Sequence, residues 1–171
     1  MSRVSILSVI SFFIYLFYQV LILKNIVLFH SAFCFLYLAF LLLLPVESNP
    51  IFLMVVGFVM GFSVDVFYDS LGLHALVCVL TMYVRNFWLN LVTPQGGYDG
   101  SAIPSLSMNG MQWFLVYSVP MVFLHHTVLF FTEAGGMTPF WFTMLKILMS
   151  TLFTTLTIVI AQYLFPYKRR L

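Results

Sequence analysis

Charge is what this chain has least of. Its 171 residues include seven Lys and Arg and five Asp and Glu, 7% in all, where a soluble domain carries about 25%. So few charges cannot clothe a water-soluble globule of this length, which excludes a soluble enzyme. A disordered chain needs the opposite balance of high charge and low hydrophobicity, and a nucleic-acid binder needs clustered cations. There are two cysteines, Cys34 and Cys78, both inside apolar runs, so no disulfide framework is expected. Catalytic patterns are missing as well. There is no His-Glu-x-x-His, no Gly-rich phosphate loop, and no recognisable pairing of a turn Ser with a His. His125 and His126 are adjacent and on a helix point about 100° apart, a poor start for a metal site. No enzyme activity, metal or cofactor is expected.

Apolar residues take up the room: 63% hydrophobic, 19% aromatic, with a mean hydropathy of +1.08. A helix crossing a ~30 Å hydrocarbon core needs about 20 of them in a row. Such runs cover 4–23, 26–44, 51–71, 73–92, 111–131 and 139–165, while 93–110 is a polar loop rich in Gly, Pro and Ser. The expected fold is all-α: a polytopic membrane protein, a bundle of six transmembrane helices in a single domain over 1–171. Period-two alternation is absent, which argues against a transmembrane barrel. The first run follows Arg3, as a signal peptide would, but its length and the lack of a cleavage site mark a retained span. Arg3, Lys168, Arg169 and Arg170 place both termini and the 93–110 loop in the cytoplasm by the positive-inside rule, with Lys24 as a minor exception. The 24–25, 72 and 132–138 turns then face outward.

Ionisable groups at membrane depth are costly and mark functional candidates by default. Gly57, Gly61, Asp65 and Asp69 recur every fourth residue, so they stack along one side of the third span. The glycines admit a second backbone and the acids prolong the stripe. His74 opens the next span. His125 and His126 lie near the outer end of the fifth, Glu133 follows it, and Lys146 sits below the outer end of the sixth. Equal depth makes Asp65–Lys146 the expected ion pair, surrounded by Asp69 and the histidines. Arg85 lies in the inner half of the fourth span, with Gln112 and Tyr117 at its level and Asn86 and Asn90 below. A packing role for the Gly stripe and a register-fixing role for the charges come ahead of a partner contact or a ligand or ion path.

The stretch Gly61-Phe-Ser-Val-Asp65-Val-Phe-Tyr-Asp69-Ser-Leu-Gly72-Leu-His74-Ala75 resembles the rod shape-determining MreD family. The shared pattern is a Gly, an Asp four residues on, and a Leu-Gly-x-His-Ala turn into the next helix. Gln19-Val-Leu-Ile-Leu and His125-His126 leading to Phe130-Phe131-x-Glu133 fit as well, and Asp69 departs from the pattern. The resemblance implies a non-enzymatic component of the bacterial inner membrane that controls cell shape during wall elongation. It implies association with MreC, in an assembly with MreB, RodA and a class B penicillin-binding protein. It also implies an architecture similar to the substrate-binding subunits of energy-coupling-factor vitamin transporters. That supplies the alternative, a small-molecule-binding subunit with a pocket among His74, His125, Glu133 and Lys146. The bulky first span, Ser-Phe-Phe-Ile-Tyr-Leu-Phe-Tyr from Ser11, lacks the small-residue coupling motif such a subunit needs.

Overall fold

The computed structural model describes residues 3–98, 103–135 and 139–166, with side chains from residue 7 onward. Its elements are α1 (Arg3–Leu21), a 3₁₀ turn (Leu23–Asn25), strands β1 (Val27–Leu28) and β2 (Ala32–Phe33), then α2 (Tyr37–Leu42) and α3 (Pro50–Tyr68). After these come α4 (Leu73–Leu91), α5 (Leu106–Asn109), α6 (Met111–Ala134) and α7 (Phe140–Leu164). Among the described residues four stretches are long and apolar enough to cross a membrane: Leu7–Asn25, Pro50–Tyr68, Met111–Ala134 and Phe140–Leu164. At 19 residues α4 is as long as α3, but His74, Thr81, Arg85, Asn86 and Asn90 dilute its hydropathy.

Local chemistry sets the boundaries. The Asn49 side chain accepts the Ile51 N–H at 2.9 Å and Pro50 takes the first helical position, where a missing N–H costs nothing. Asp69 ends α3 in the left-handed region at φ 55°, and Gly72 opens α4 at φ 89°. The turn between them is therefore short, and α4 folds straight back along α3. Those two helices form the most extensive pair in the molecule, α6 packs on both α4 and α7, and α1 lies at the edge against α3. Leu7, Ile10, Phe13, Ile14, Phe17 and Leu21 of α1 are exposed, as expected of a helix facing lipid.

The second expected span, 26–44, is not a membrane-crossing helix. Its first half is the β1–β2 hairpin, with Val27 opposite Phe33 and Leu28 opposite Ala32, and its second half is the six-residue α2. Every residue of α2 is buried. Lys24 donates to the Phe67 carbonyl at the finishing end of α3, and residue 49 caps the starting end. The segment thus runs the length of the bundle, half extended and half helical. Non-helical backbone at membrane depth is tolerated only when protein encloses it and answers its polar groups.

Other helices answer them here. The Phe33 N–H donates to Ser150 Oγ at 2.9 Å and the Phe35 N–H to Thr154 Oγ1 at 3.1 Å. Thr154 Oγ1 also lies 3.3 Å from the Phe33 carbonyl. Two hydroxyls one turn apart on α7 therefore stand in for a third strand along the β2 edge. Gln19 Nε2 donates to the Cys34 carbonyl at 3.0 Å.

Candidate functional site

The sequence stripe on α3 resolves into a clasp with α4. A Cβ on Gly61 would fall 2.6 Å from the Ala75 Cα and closer still to the His74 carbonyl; one on Gly57 would meet Met82 Cγ at 2.9 Å and the Cys78 carbonyl at 3.1 Å. The two backbones touch at Gly61. That contact carries Asp65, one turn on, to the open end of α4. Its Oδ1 accepts the His74 N–H at 2.9 Å and its Oδ2 the Ala75 N–H at 2.8 Å. The Ser70 hydroxyl donates to Oδ1 at 2.5 Å. A helix N-terminus exposes unpaired N–H groups and partial positive charge, so a buried carboxylate finds its compensation there without any cation.

The expected Asp65–Lys146 pair is therefore not formed. Lys146 Nζ binds Glu133 Oε2 at 2.8 Å and lies over the Phe33 and Phe130 rings, 4.7 and 4.2 Å from their centroids. Equal depth was a weaker guide than direction, because Asp65 faces α4 whereas Lys146 faces the end of α6. Asp69 does not extend the inward stripe either. The helix stops at Tyr68, and Asp69 is an exposed cap residue in the left-handed region, a conformation Asp tolerates better than most.

Beside the clasp, the buried Tyr37 hydroxyl lies 2.8 Å from His74 Nδ1 and 2.8 Å from His125 Nε2. One hydroxyl proton serves two ring nitrogens, so Tyr37 donates to one imidazole and accepts from the other. His126 points the other way, as its neighbour's position requires. Its Nδ1–H donates to the Val122 carbonyl at 2.7 Å, and its Nε2 lies 3.2 Å from Thr154 Oγ1. Phe35 packs against His74, His125 and His126, at centroid distances of 5.2, 6.0 and 5.4 Å. His74, His125 and His126 thus converge on the 26–44 segment at Phe35 and Tyr37, Asp65 holds the backbone at His74, and Glu133 and Lys146 form their own ion pair beside Phe33. No group of three or more His, Cys, Asp or Glu among the described residues could hold a metal ion.

Arg85 is fully buried in the other half of the bundle. Its Nε donates to the Tyr117 hydroxyl at 2.8 Å, and its Nη2 to the Leu42 carbonyl at 3.3 Å and to the Leu44 carbonyl. Tyr117 in turn donates to the Leu42 carbonyl at 2.8 Å. Leu42 closes α2 and Leu44 lies two residues beyond it, so the guanidinium sits at a helix C-terminal end, where a cation is favoured. Gln112, expected at this level, is exposed, as is Asn90, while Asn86 is half-buried. Gln19, part of the stretch that carries the resemblance, is fully buried and also donates to the Tyr68 hydroxyl at 2.8 Å.

Sequence reasoning missed Tyr37, Ser150 and Thr154. A signal was present in the hydroxyl stripe Ser150, Thr151, Thr154 and Thr155, dense for a membrane helix and spaced to give one polar side. The terminal cations Lys168, Arg169 and Arg170 lie outside the described residues, and so does Asp99. Against protein-family models, curated proteins and solved structures alike, the chain has no match.

Proposed function

We propose that the chain is a non-enzymatic membrane interaction protein of the MreD type, acting in the bacterial inner membrane on cell shape and wall elongation. The observation that carries this reading is the Asp65 clasp. The residues on which the resemblance rests, Gly61 through Ala75, act together: a glycine contact, a carboxylate on two helix N–H groups, and a Gly72 turn. A pattern that builds a closely packed clasp suits a protein whose work is to hold partners. His74, His125, Asp65 and Arg85 are committed to hydrogen bonds within the chain, which favours a scaffold over the vitamin-binding pocket that would draw on His74 and His125.

On this reading the 26–44 segment is the second of six membrane passes, α4 is the fourth, and the overall likeness is to the vitamin-transporter binding subunits. Both termini and the 93–110 loop lie in the cytoplasm, following the basic residues at 3 and 168–170. The partner is MreC, in an assembly with MreB, RodA and a class B penicillin-binding protein. The test is co-purification of MreC from detergent extract. Asp65→Asn is expected to abolish it and Glu133→Gln to leave it intact. Unchanged recovery of MreC with Asp65→Asn overturns the scaffold role of the clasp.

A further inference from the structure

The end of the bundle where α6 turns into α7 carries a cavity of about 140 Å³ lined by Phe130, Glu133, Ala134, Phe142, Thr143 and Lys146. At ~30 Å³ per liquid water, it has room for four or five waters or for one small polar group. Both signs of charge line it. Lys146 Nζ, which has three N–H donors, makes a 2.8 Å ion pair to Glu133 Oε2, and the Glu133 side chain is 54% exposed against 19% for Lys146. The ammonium is braced by the Phe33 and Phe130 rings, so it is held in place when a ligand arrives. A ligand of one sign would have to break this pair: a lone phosphate competes with Glu133, a lone amine with Lys146. A ligand bearing a phosphate and a primary ammonium two carbons apart meets both, and the four charges then alternate in sign.

The position favours a membrane lipid over a dissolved compound. Both helices are long and apolar enough to cross a bilayer, so their junction lies at headgroup depth. Trp141, at the start of α7 and one residue before the cavity-lining Phe142, stands 79% exposed, and Trp is a residue type that settles at the membrane–water boundary. The exposed Phe142 ring lines the cavity and offers it an apolar wall.

We propose that this cavity is a headgroup site for a lipid carrying an aminoethyl phosphate, with Lys146 receiving the phosphate and Glu133 the ammonium. The inference is independent of the MreD reading. The test follows thermal unfolding of the delipidated protein in detergent, by tryptophan fluorescence, as lipids are added back. Phosphatidylethanolamine is expected to raise the Tm by several degrees, with phosphatidylcholine and phosphatidylglycerol giving less than a third of that shift. Glu133→Gln frees Lys146 and is expected to reverse the preference towards phosphatidylglycerol, a change that a merely structural role would not produce. Lys146→Met is expected to remove both responses. Equal shifts by ethanolamine and glycerol lipids, or an unchanged preference in Glu133→Gln, overturn the proposal. Stabilisation by free O-phosphoethanolamine with the diacyl lipid inert overturns the lipid source.

Discussion

Asp65 is where single side chains matter most. Its two oxygens serve two backbone N–H groups and a hydroxyl, so Asp65→Asn keeps the shape and sets an NH₂ against an N–H. The expected cost is about 3 kcal/mol, in the range for breaking a buried charged contact, read as a lowered Tm in detergent. Glu133→Gln breaks a surface pair and is expected to cost no more than about 1 kcal/mol. The two glycines should also separate. Gly61→Ala drives a methyl into the α4 backbone, while Gly57→Ala meets the flexible end of Met82 as well as a carbonyl. Overpacking costs of about 1–3 kcal/mol should therefore fall higher for Gly61 in the same unfolding measurement. The importance of Gly61 and Asp65 was legible in their spacing and depth. The partner of Asp65 was not, because an acid can be answered by the end of a helix, and counting cations cannot find backbone N–H groups.

At the scale of elements, α6 contains Pro120, which cannot donate to the carbonyl of Val116 four residues back. Trp88 Nε1 on α4 donates to that carbonyl at 3.2 Å, so one helix repairs a break in another. Trp88→Phe is expected to destabilise the protein by about 1 kcal/mol, and less in a Pro120→Ala background, where the helix supplies its own N–H. A double-mutant cycle on Tm measures the difference; strictly additive effects would remove the coupling. The long helices were readable from hydropathy and from their Gly, Pro and Asn boundaries. The 26–44 segment was not, since apolar content fits a membrane helix and a buried hairpin equally well. What decides between them is where the backbone finds partners, and Phe33 finds its partner at Ser150, 117 residues away in the chain. Substituting Ser150→Ala together with Thr154→Val is expected to speed hydrogen exchange at the Phe33 and Phe35 amides, with the amides in the middle of α3 unaffected.

Across the whole molecule, the two charges in the core obey one rule. Asp65 sits at the N-terminal end of α4 and Arg85 at the C-terminal end of α2, each matched to a helix end of opposite partial charge. The opposite charges at the surface, Glu133 and Lys146, pair directly. Arg85→Met should therefore do more damage than Lys146→Met in the same Tm assay, since it strips donors from the Leu42 and Leu44 carbonyls in a buried place. The membrane character of the chain was plain from its composition. The arrangement of its interior depended on which side chain met which carbonyl or amide, something no count of residues records. The hairpin edge that rests on Ser150 and Thr154 bears on the order in which the protein is made. Synthesis delivers residues 26–44 long before the ribosome reaches α7, so a nascent chain released before residue 150 has no hydroxyls to accept the Phe33 and Phe35 amides. Packing of the 26–44 segment must wait for α7, and chains shortened before residue 150 should be removed by quality control rather than accumulate.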